Sequence, residues 1–402
     1  MHRSLNIGLL THSVRARGGV IHTLELAESL IELGHRVTVI ASAEVGETLF
    51  RQVPFPVEVI RLPVLPGELV AQVALRIQTL VEELPALLEA GRFDVLHAQD
   101  SLSGNALALL KAAGHTLPPW VRTVHHLDQF SSPLLMQWQE RAWRQADGVA
   151  CVSDLWLRHF REQLQVRPER MYNGVRLSHF NPTPSADDAR LLQCLGMQDN
   201  ASPLCLLVGG VEQRKNSVRL LQAFMHNRRT LAPWAQAQLV VVGGASMLDH
   251  SQARQQWNQV MADAGWREGP SEPVWCLGTV ADELMPALMR RAAVLGMPSL
   301  MEGFGLAAIE ALACGTPVLV SQRAPFTEHL STSPNVAWCD PEDVGSMAAG
   351  LAVALGYSKL TSPPQVCLEH SWSHSARLHE RWYLSLLNAR EAVPHPSLCL
   401  SH

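Results

Sequence analysis

Two carboxylates eight positions apart, Glu302 and Glu310, bracket a turn and a helix start in the run Glu302-Gly303-Phe304-Gly305-Leu306-Ala-Ala-Ile-Glu310. Pro298-Ser-Leu-Met precedes it and Gly315-Thr-Pro follows it. The pattern is strand end, Gly-rich turn, helix, glycine stop and next strand. Gly303 and Gly305 permit a sharp turn and a close backbone approach by a ligand. A helix opening at this point, beside Phe304 and Leu306, aims several unpaired N–H groups and its positive end into the turn. Such a place binds a diphosphate without a metal ion. If the intervening residues are largely helical, the two carboxylates stand ~12 Å apart. That is the reach from a sugar ring, across a diphosphate, to a ribose. A carboxylate accepts from two hydroxyls at once, so Glu302 suits sugar hydroxyls and Glu310 suits the ribose 2′ and 3′ hydroxyls. A cap and a stray helix acid would explain the two glutamates singly, but not together with both glycines and Gly-Thr-Pro.

A second stretch supplies cations: Val208-Gly209-Gly210-Val-Glu-Gln-Arg214-Lys215-Asn216. Lysine occurs only at Lys111, Lys215 and Lys359, so a Lys inside a Gly-rich turn stands out. Negative charge grows on a departing nucleoside diphosphate, and cations placed in advance stabilise it most in the transition state. Alone, the Arg-Lys pair reads equally well as a solvated loop. Two further turns follow strands. Ser13-Val-Arg-Ala-Arg-Gly18-Gly19 precedes a helix, where its glycines would admit a phosphate or an acceptor. Thr123-Val-His125-His126-Leu-Asp128 lies at a strand's C-terminal end, where open α/β sheets place ligands. Asp100 is a weaker candidate on the acceptor side. No D-x-D motif and no convincing nucleophile is present.

The elements that must position these groups repeat in two halves. Leu5–Leu10 reads as a buried strand, followed by a helix from about Val20 to Leu33 and a strand at Arg36–Ala41. Later strands fit 94–97, 120–124 and 148–152. Residues 66–91 form one amphipathic helix, best explained by packing on its own sheet. The pattern restarts with strands at 204–208, 238–242, 274–277, 293–296 and 317–320, and a last helix covers about 373–389. Strands separated by helix-length segments imply parallel sheets.

The run E-G-F-G-L-A-A-I-E resembles the E-x7-E signature of the GT-B retaining glycosyltransferases of family 4, and similar landmarks occur in order through most of the chain. The resemblance implies an α/β GT-B fold: two Rossmann-like, doubly wound domains facing a cleft. They would cover 1–178 (acceptor side) and 195–368 (nucleotide-sugar side), joined by a linker at 179–194. Residues 369–402 would form a helix crossing back to the first domain, and a tail. It implies a catalytic set of Lys215, Arg214, Glu302 and His125. Donor binding would involve Gly18, Gly19, Gly209, Gly303, Phe304, Gly305, Leu306 and Glu310. The second-domain turn is similar to the variant G-x-x-E-x-R-K-N, with Gly210 where a more widespread version carries Arg. His125 matches the family's T-V-H site, and His126 is an adjacent extra. Glu328 matches an acid after the Gly-Thr-Pro strand that reads as structural, while Ser153 and Asn173-Gly174-Val175 match landmarks of the hinge. The implied reaction is front-face transfer from a nucleotide-diphosphate sugar, a co-substrate and not a bound cofactor. It uses no metal, and the acceptor is a saccharide, a lipid or a small metabolite.

Length and composition agree with this frame. The 402 residues suit two α/β domains. A net charge of −5 gives no whole-molecule attraction to nucleic acid or anionic lipid, leaving peripheral membrane contact to a local patch. No run reaches the ~20 apolar residues of a membrane span. Eight Cys lack paired spacing and suit reduced thiols in the cytoplasm. The alternatives are a non-catalytic nucleotide-sugar-binding GT-B protein, a sugar-nucleotide epimerase and a dinucleotide oxidoreductase. The last is disfavoured because no G-x-G-x-x-G follows a strand.

Overall fold

The computed structural model describes residues 3–197, 202–244 and 250–391. Seven strands form the first sheet: β1 (Asn6–Thr11), β2 (Arg36–Ala43), β3 (Val57–Arg61), β4 (Val95–Ala98), β5 (Trp120–Val124), β6 (Gly148–Cys151) and β7 (Glu169–Arg170). Six form the second: β8 (Leu204–Val208), β9 (Gln238–Val242), β10 (Val274–Gly278), β11 (Val294–Met297), β12 (Val318–Ser321) and β13 (Val336–Cys339). Their orders are β3-β2-β1-β4-β5-β6-β7 and β10-β9-β8-β11-β12-β13. Strand pairs such as β1 with β2 and with β4, or β8 with β9 and with β11, are all parallel. In each sheet the chain leaves the first strand on one side and returns on the other. That reversal opens a crevice at the C-terminal strand ends, where doubly wound folds bind ligands.

The central strands are buried on both faces and therefore read as continuous apolar runs. Leu5, Ile7 and Leu9 face one core with Leu24, Ala27 and Leu30 of the Gly18–Glu32 helix. The strands β3, β7 and β13 were not expected from sequence. All three lie at sheet edges; β3 is only half-buried, which weakens its apolar pattern, and β7 and β13 have only two and four residues. The first helix starts at Gly18 and not Val20. First-turn N–H groups lack helical partners anyway, so Gly18 and Gly19 are its opening turn and not a loop before it. The Leu69–Gly91 helix is capped by Glu68, whose carboxylate accepts from Val70 N (2.9 Å) and Ala71 N (2.7 Å).

The chain crosses between the sheets twice, side by side. Val175 N donates to His370 O at 2.9 Å. A Cβ on Gly174 would lie 2.4 Å from Trp372 N, so only glycine allows the crossings to touch. The Trp372–Glu391 helix then packs on the first unit, with Trp382, Tyr383 and Leu387 in the same core as Leu24 and Leu30. Among the described residues no helix is long and apolar enough to cross a membrane.

Candidate active site

The Arg214-Lys215-Asn216 turn and the Glu302 turn are neighbours in space, locked by backbone and side-chain bonds. Leu300 N donates to Arg214 O at 2.9 Å. Asn216 Nδ2 donates to Pro298 O (3.0 Å) and Pro341 O (2.6 Å). Asn216 adopts φ +60° as the residue before the Ser217–Thr230 helix. Lys215 consequently points inward, and its Nζ donates to Glu302 Oε1 at 2.6 Å. Gly209, at φ +123°, makes room for it, because a Cβ there would lie 2.8 Å from Lys215 Cε. Arg214 Nη1 stands 3.4 Å from Glu302 Oε2 and donates to Met301 O at 3.2 Å. Ser299 Oγ donates to Glu302 Oε1 at 2.8 Å.

Electrostatics follow from this convergence. Burial pushes the Glu302 carboxyl up, but Lys215, Arg214 and the Lys215 and Ser299 hydrogen bonds outweigh it and hold it at about 2. Burial pulls the Lys215 ammonium below its ordinary value, opposed by Glu302. The pair is thus a buried anion between two cations. Without a donor, Glu302 engages cations and Ser299, where the sequence reading gave it sugar hydroxyls.

The helix after Glu302 is shorter than the expectation assumed. It spans Leu306–Ala313, with Gly305 at φ +96° preceding it. Only Leu306 to Glu310 is helical, so the ~12 Å estimate from an all-helical segment does not apply. The backbone N–H groups of Gly305, Leu306 and Ala307 have no acceptor among the described residues, as expected for a first turn. Gly303 lies where the domains meet, because a Cβ there would lie 2.3 Å from His125 O. The Phe304 side chain is buried, stacked on His329 with ring centroids 4.6 Å apart, so only its backbone faces the turn. Leu306 is half-buried.

His125 is turned toward the first helix. Its ring lies 3.6 Å from where a Cβ on Gly19 would be, while Gly18 has open space beside it. His125 Nε2 is 3.2 Å from Gln99 Oε1, and its ring meets His22 edge-on at 4.7 Å. Burial, with His22 and Arg122 nearby, holds it well below the ordinary histidine range, hence neutral. His126 instead pairs with Asp128 at 3.4 Å.

Glu310 sits apart from the Lys215 cluster, half-buried. Burial raises its carboxyl to about 8, with Asp282 and Glu25 adding to the shift and Arg51 and Arg176 opposing it. Those four residues form a network between the domains that sequence reading missed. Arg51 Nη1 is 2.7 Å from Glu25 Oε1 and 3.2 Å from Asp282 Oδ2, and Arg176 Nη2 is 3.4 Å from Glu25. Four segments far apart in the chain supply it, so no local spacing announces it. Ser299 and Asn216 were likewise missed as positioning groups; only their adjacency to Glu302 and Lys215 hinted at them. Among the described residues no group of three or more His, Cys, Asp or Glu is placed to hold a metal ion.

Comparisons with known proteins bear on the family and the fold. Residues 16–179 match the model described as Glycosyltransferase Family 4, and residues 198–361 match Glycosyl transferases group 1. A D-inositol 3-phosphate glycosyltransferase of Thermobispora bispora is 27% identical over 94% of this chain and 92% of its own. Sucrose-phosphate synthase from Thermosynechococcus elongatus superposes with a TM-score of 0.75 at 21% identity, covering 95% of this chain and 99% of that one. The Anabaena protein HepE, solved with UDP-glucose, gives a TM-score of 0.65 at 20% identity, covering 96% and 98%. With both halves matched and the two facing sheets in place, the chain belongs to the GT-B glycosyltransferases of the family 4 type.

Proposed function

We propose that the enzyme is a retaining, metal-independent glycosyltransferase that moves a sugar from a nucleotide-diphosphate donor to an acceptor hydroxyl. The single observation that carries this reading is the convergence of Lys215 and Arg214 on Glu302, beside a helix whose first N–H groups are open. Two cations and a helix N-terminus are what a leaving diphosphate needs. Glu302 would exchange a cation contact for sugar hydroxyls, and Glu310 would take the ribose. His125, neutral and beside Gly303, would line the sugar's side of the cleft. The acceptor oxygen would attack the anomeric carbon on the face the diphosphate leaves. The bond from that carbon to the phosphate oxygen breaks, and this oxygen takes the acceptor's proton.

UDP-glucose is the first donor to test, because HepE was solved with it. The acceptor most in keeping with the Thermobispora relative's name is a phosphorylated cyclitol. The seven described thiols are unbridged, which fits a reducing compartment such as the cytoplasm. A non-catalytic or epimerase reading gains no support from relatives named as glycosyltransferases.

A thermal-shift series with UDP-glucose, GDP-mannose and ADP-glucose tests the donor class. Stabilisation at 100-fold the Kd is about 2.7 kcal/mol. No shift with any of the three, together with no hydrolysis, would sink the proposal.

A further inference from the structure

We propose that His12, backed by Asp100, orients the acceptor: its outward ring edge accepts the hydrogen bond of the hydroxyl that attacks the sugar. The inference rests on the donor site described above. It adds a group on the opposite wall of the cleft.

The position comes from the topology. His12 is one residue beyond β1, and Asp100 is two residues beyond β4. These strands are neighbours, yet the chain visits β2 and β3 between them, so the crevice of the first sheet opens at these two residues. The same strand ends face the second domain, as the approach of Gly303 to His125 O shows. Gln99, next to Asp100, touches His125 at 3.2 Å. His12 and His125 therefore flank one short rim, one on each side of the Gln99-Asp100 pair.

Asp100 is fixed before any ligand arrives. Its Oδ1 accepts from Ser103 N at 2.8 Å and its Oδ2 from Ser103 Oγ at 2.9 Å, capping the Ser101–Ala112 helix. Burial pushes the carboxyl up, but the His12 contact, Arg122 and the Ser103 N–H prevail and hold it below its ordinary value, as a carboxylate. His12 Nδ1 is buried without a hydrogen bond, and Asp100 Oδ2 lies 3.7 Å away. Ser42 Oγ donates to His12 O at 2.7 Å and pins the backbone. Asp100 offers only acceptor oxygens on the Nδ1 side, so the proposed contact is the tautomer with Nδ1–H toward the carboxylate and the Nε2 lone pair toward a donor in the cleft. The side chain retains 21% exposure, so this edge is reachable. His12 holds the hydroxyl and removes nothing: the oxygen bonds to the anomeric carbon, and the proton passes to the departing phosphate oxygen.

The test uses the full chain with UDP-glucose, and D-myo-inositol 3-phosphate, fructose 6-phosphate or glucose as acceptor. Transfer and acceptor-free hydrolysis of UDP-glucose are measured in the same preparations. His12→Leu should raise the acceptor KM at least tenfold while hydrolysis and melting temperature stay near those of the unaltered protein. His12→Gln, which restores an acceptor oxygen, should recover most of the loss. Asp100→Asn should behave like a weaker His12→Leu. Transfer unaffected by His12→Leu, or transfer and hydrolysis falling together, overturns the role of His12 and leaves the donor site standing. Hydrolysis without transfer to any of the three acceptors in the unaltered chain overturns the acceptor assignment. An unaltered chain that neither binds nor hydrolyses UDP-glucose, GDP-mannose or ADP-glucose overturns the donor reading, and this inference with it.

Discussion

The Glu328 carboxylate of the second domain accepts hydrogen bonds from the backbone N–H groups of Asp154 (2.8 Å) and Leu155 (2.7 Å) in the first. These open the Asp154–Glu162 helix, whose N-cap residue, Ser153, makes no side-chain cap bond. One domain therefore caps a helix of the other. The expectation that Glu328 is structural acquires a specific form: it holds the first turn of that helix from across the domain boundary.

Replacing Glu328 with Ala should cost about 1 kcal/mol, the ordinary loss on removing a helix cap. Chemical denaturation reads the total, and hydrogen exchange at Asp154 and Leu155 reads the cap itself. Unchanged exchange at those two amides would refute the cap.

Lys215→Ala should slow transfer by ~10²–10³, the usual effect of removing one group that stabilises a transition-state anion. Nucleotide affinity should fall less. Without the lysine, Glu302 loses its nearest cation and its carboxyl should rise from about 2. Lys215→Arg should be intermediate, because a guanidinium does not fit the space that Gly209 leaves for a straight chain. Comparing kcat with the Kd for UDP checks this; equal losses in both would count against it.

Nucleotide binding should tighten as pH rises from 6 to 8. In the free protein the Glu310 carboxyl stands at about 8, so it is protonated through most of that range. Two ribose hydroxyls would favour the carboxylate, and binding then releases a proton. Affinity should rise by up to about tenfold per pH unit and level off above 8. The Glu310→Gln variant should lose this slope. Calorimetry in two buffers of different ionisation enthalpy counts the proton directly; a count of zero at pH 7 excludes the ribose contact.

Acid should loosen the C-terminal helix. His22 and His379 are buried where it meets the first domain, with Trp372 5.2 Å from His22. Burial lowers them to about 3 and about 4. In the unfolded chain histidine protonates near 6.5. Because the folded values are depressed, stability is complete above pH 6.5 and declines as pH falls through 6.5 toward 4. Each group costs up to about 1.4 kcal/mol per pH unit in that interval. Melting curves followed by tryptophan fluorescence should shift down across it, and His379→Gln should flatten the trend.

The chain's local grammar was legible in the helix of Leu306–Ala313 and in strands such as β1, β8 and β12, because a parallel strand buried on both faces is a continuous apolar run. Edge strands β3, β7 and β13 escaped: partial exposure dilutes the signal in β3, and β7 and β13, at two and four residues, are too short for a pattern to register. The Gly-rich motif marked Phe304 as a donor-side position but not which part of it would act: its side chain stacks on His329 inside the core, which leaves the backbone to face the turn.

By itself the amino-acid order marked candidates for the chemistry: Glu302, Lys215, Arg214 and His125 at strand-to-helix turns, and Glu310 within the helix that follows Glu302, with the cations and His125 drawing their weight from the family resemblance. Tertiary structure decided how they associate. Lys215 and Glu302 are 87 positions apart and meet at 2.6 Å because β8 and β11 are sheet neighbours. Glu25, Arg51, Arg176 and Asp282 gather around the cleft without any sequence pattern. The physical reason is range: propensity and periodicity act over one turn or one strand, whereas the partner that compensates a buried charge is chosen by which distant strands lie side by side.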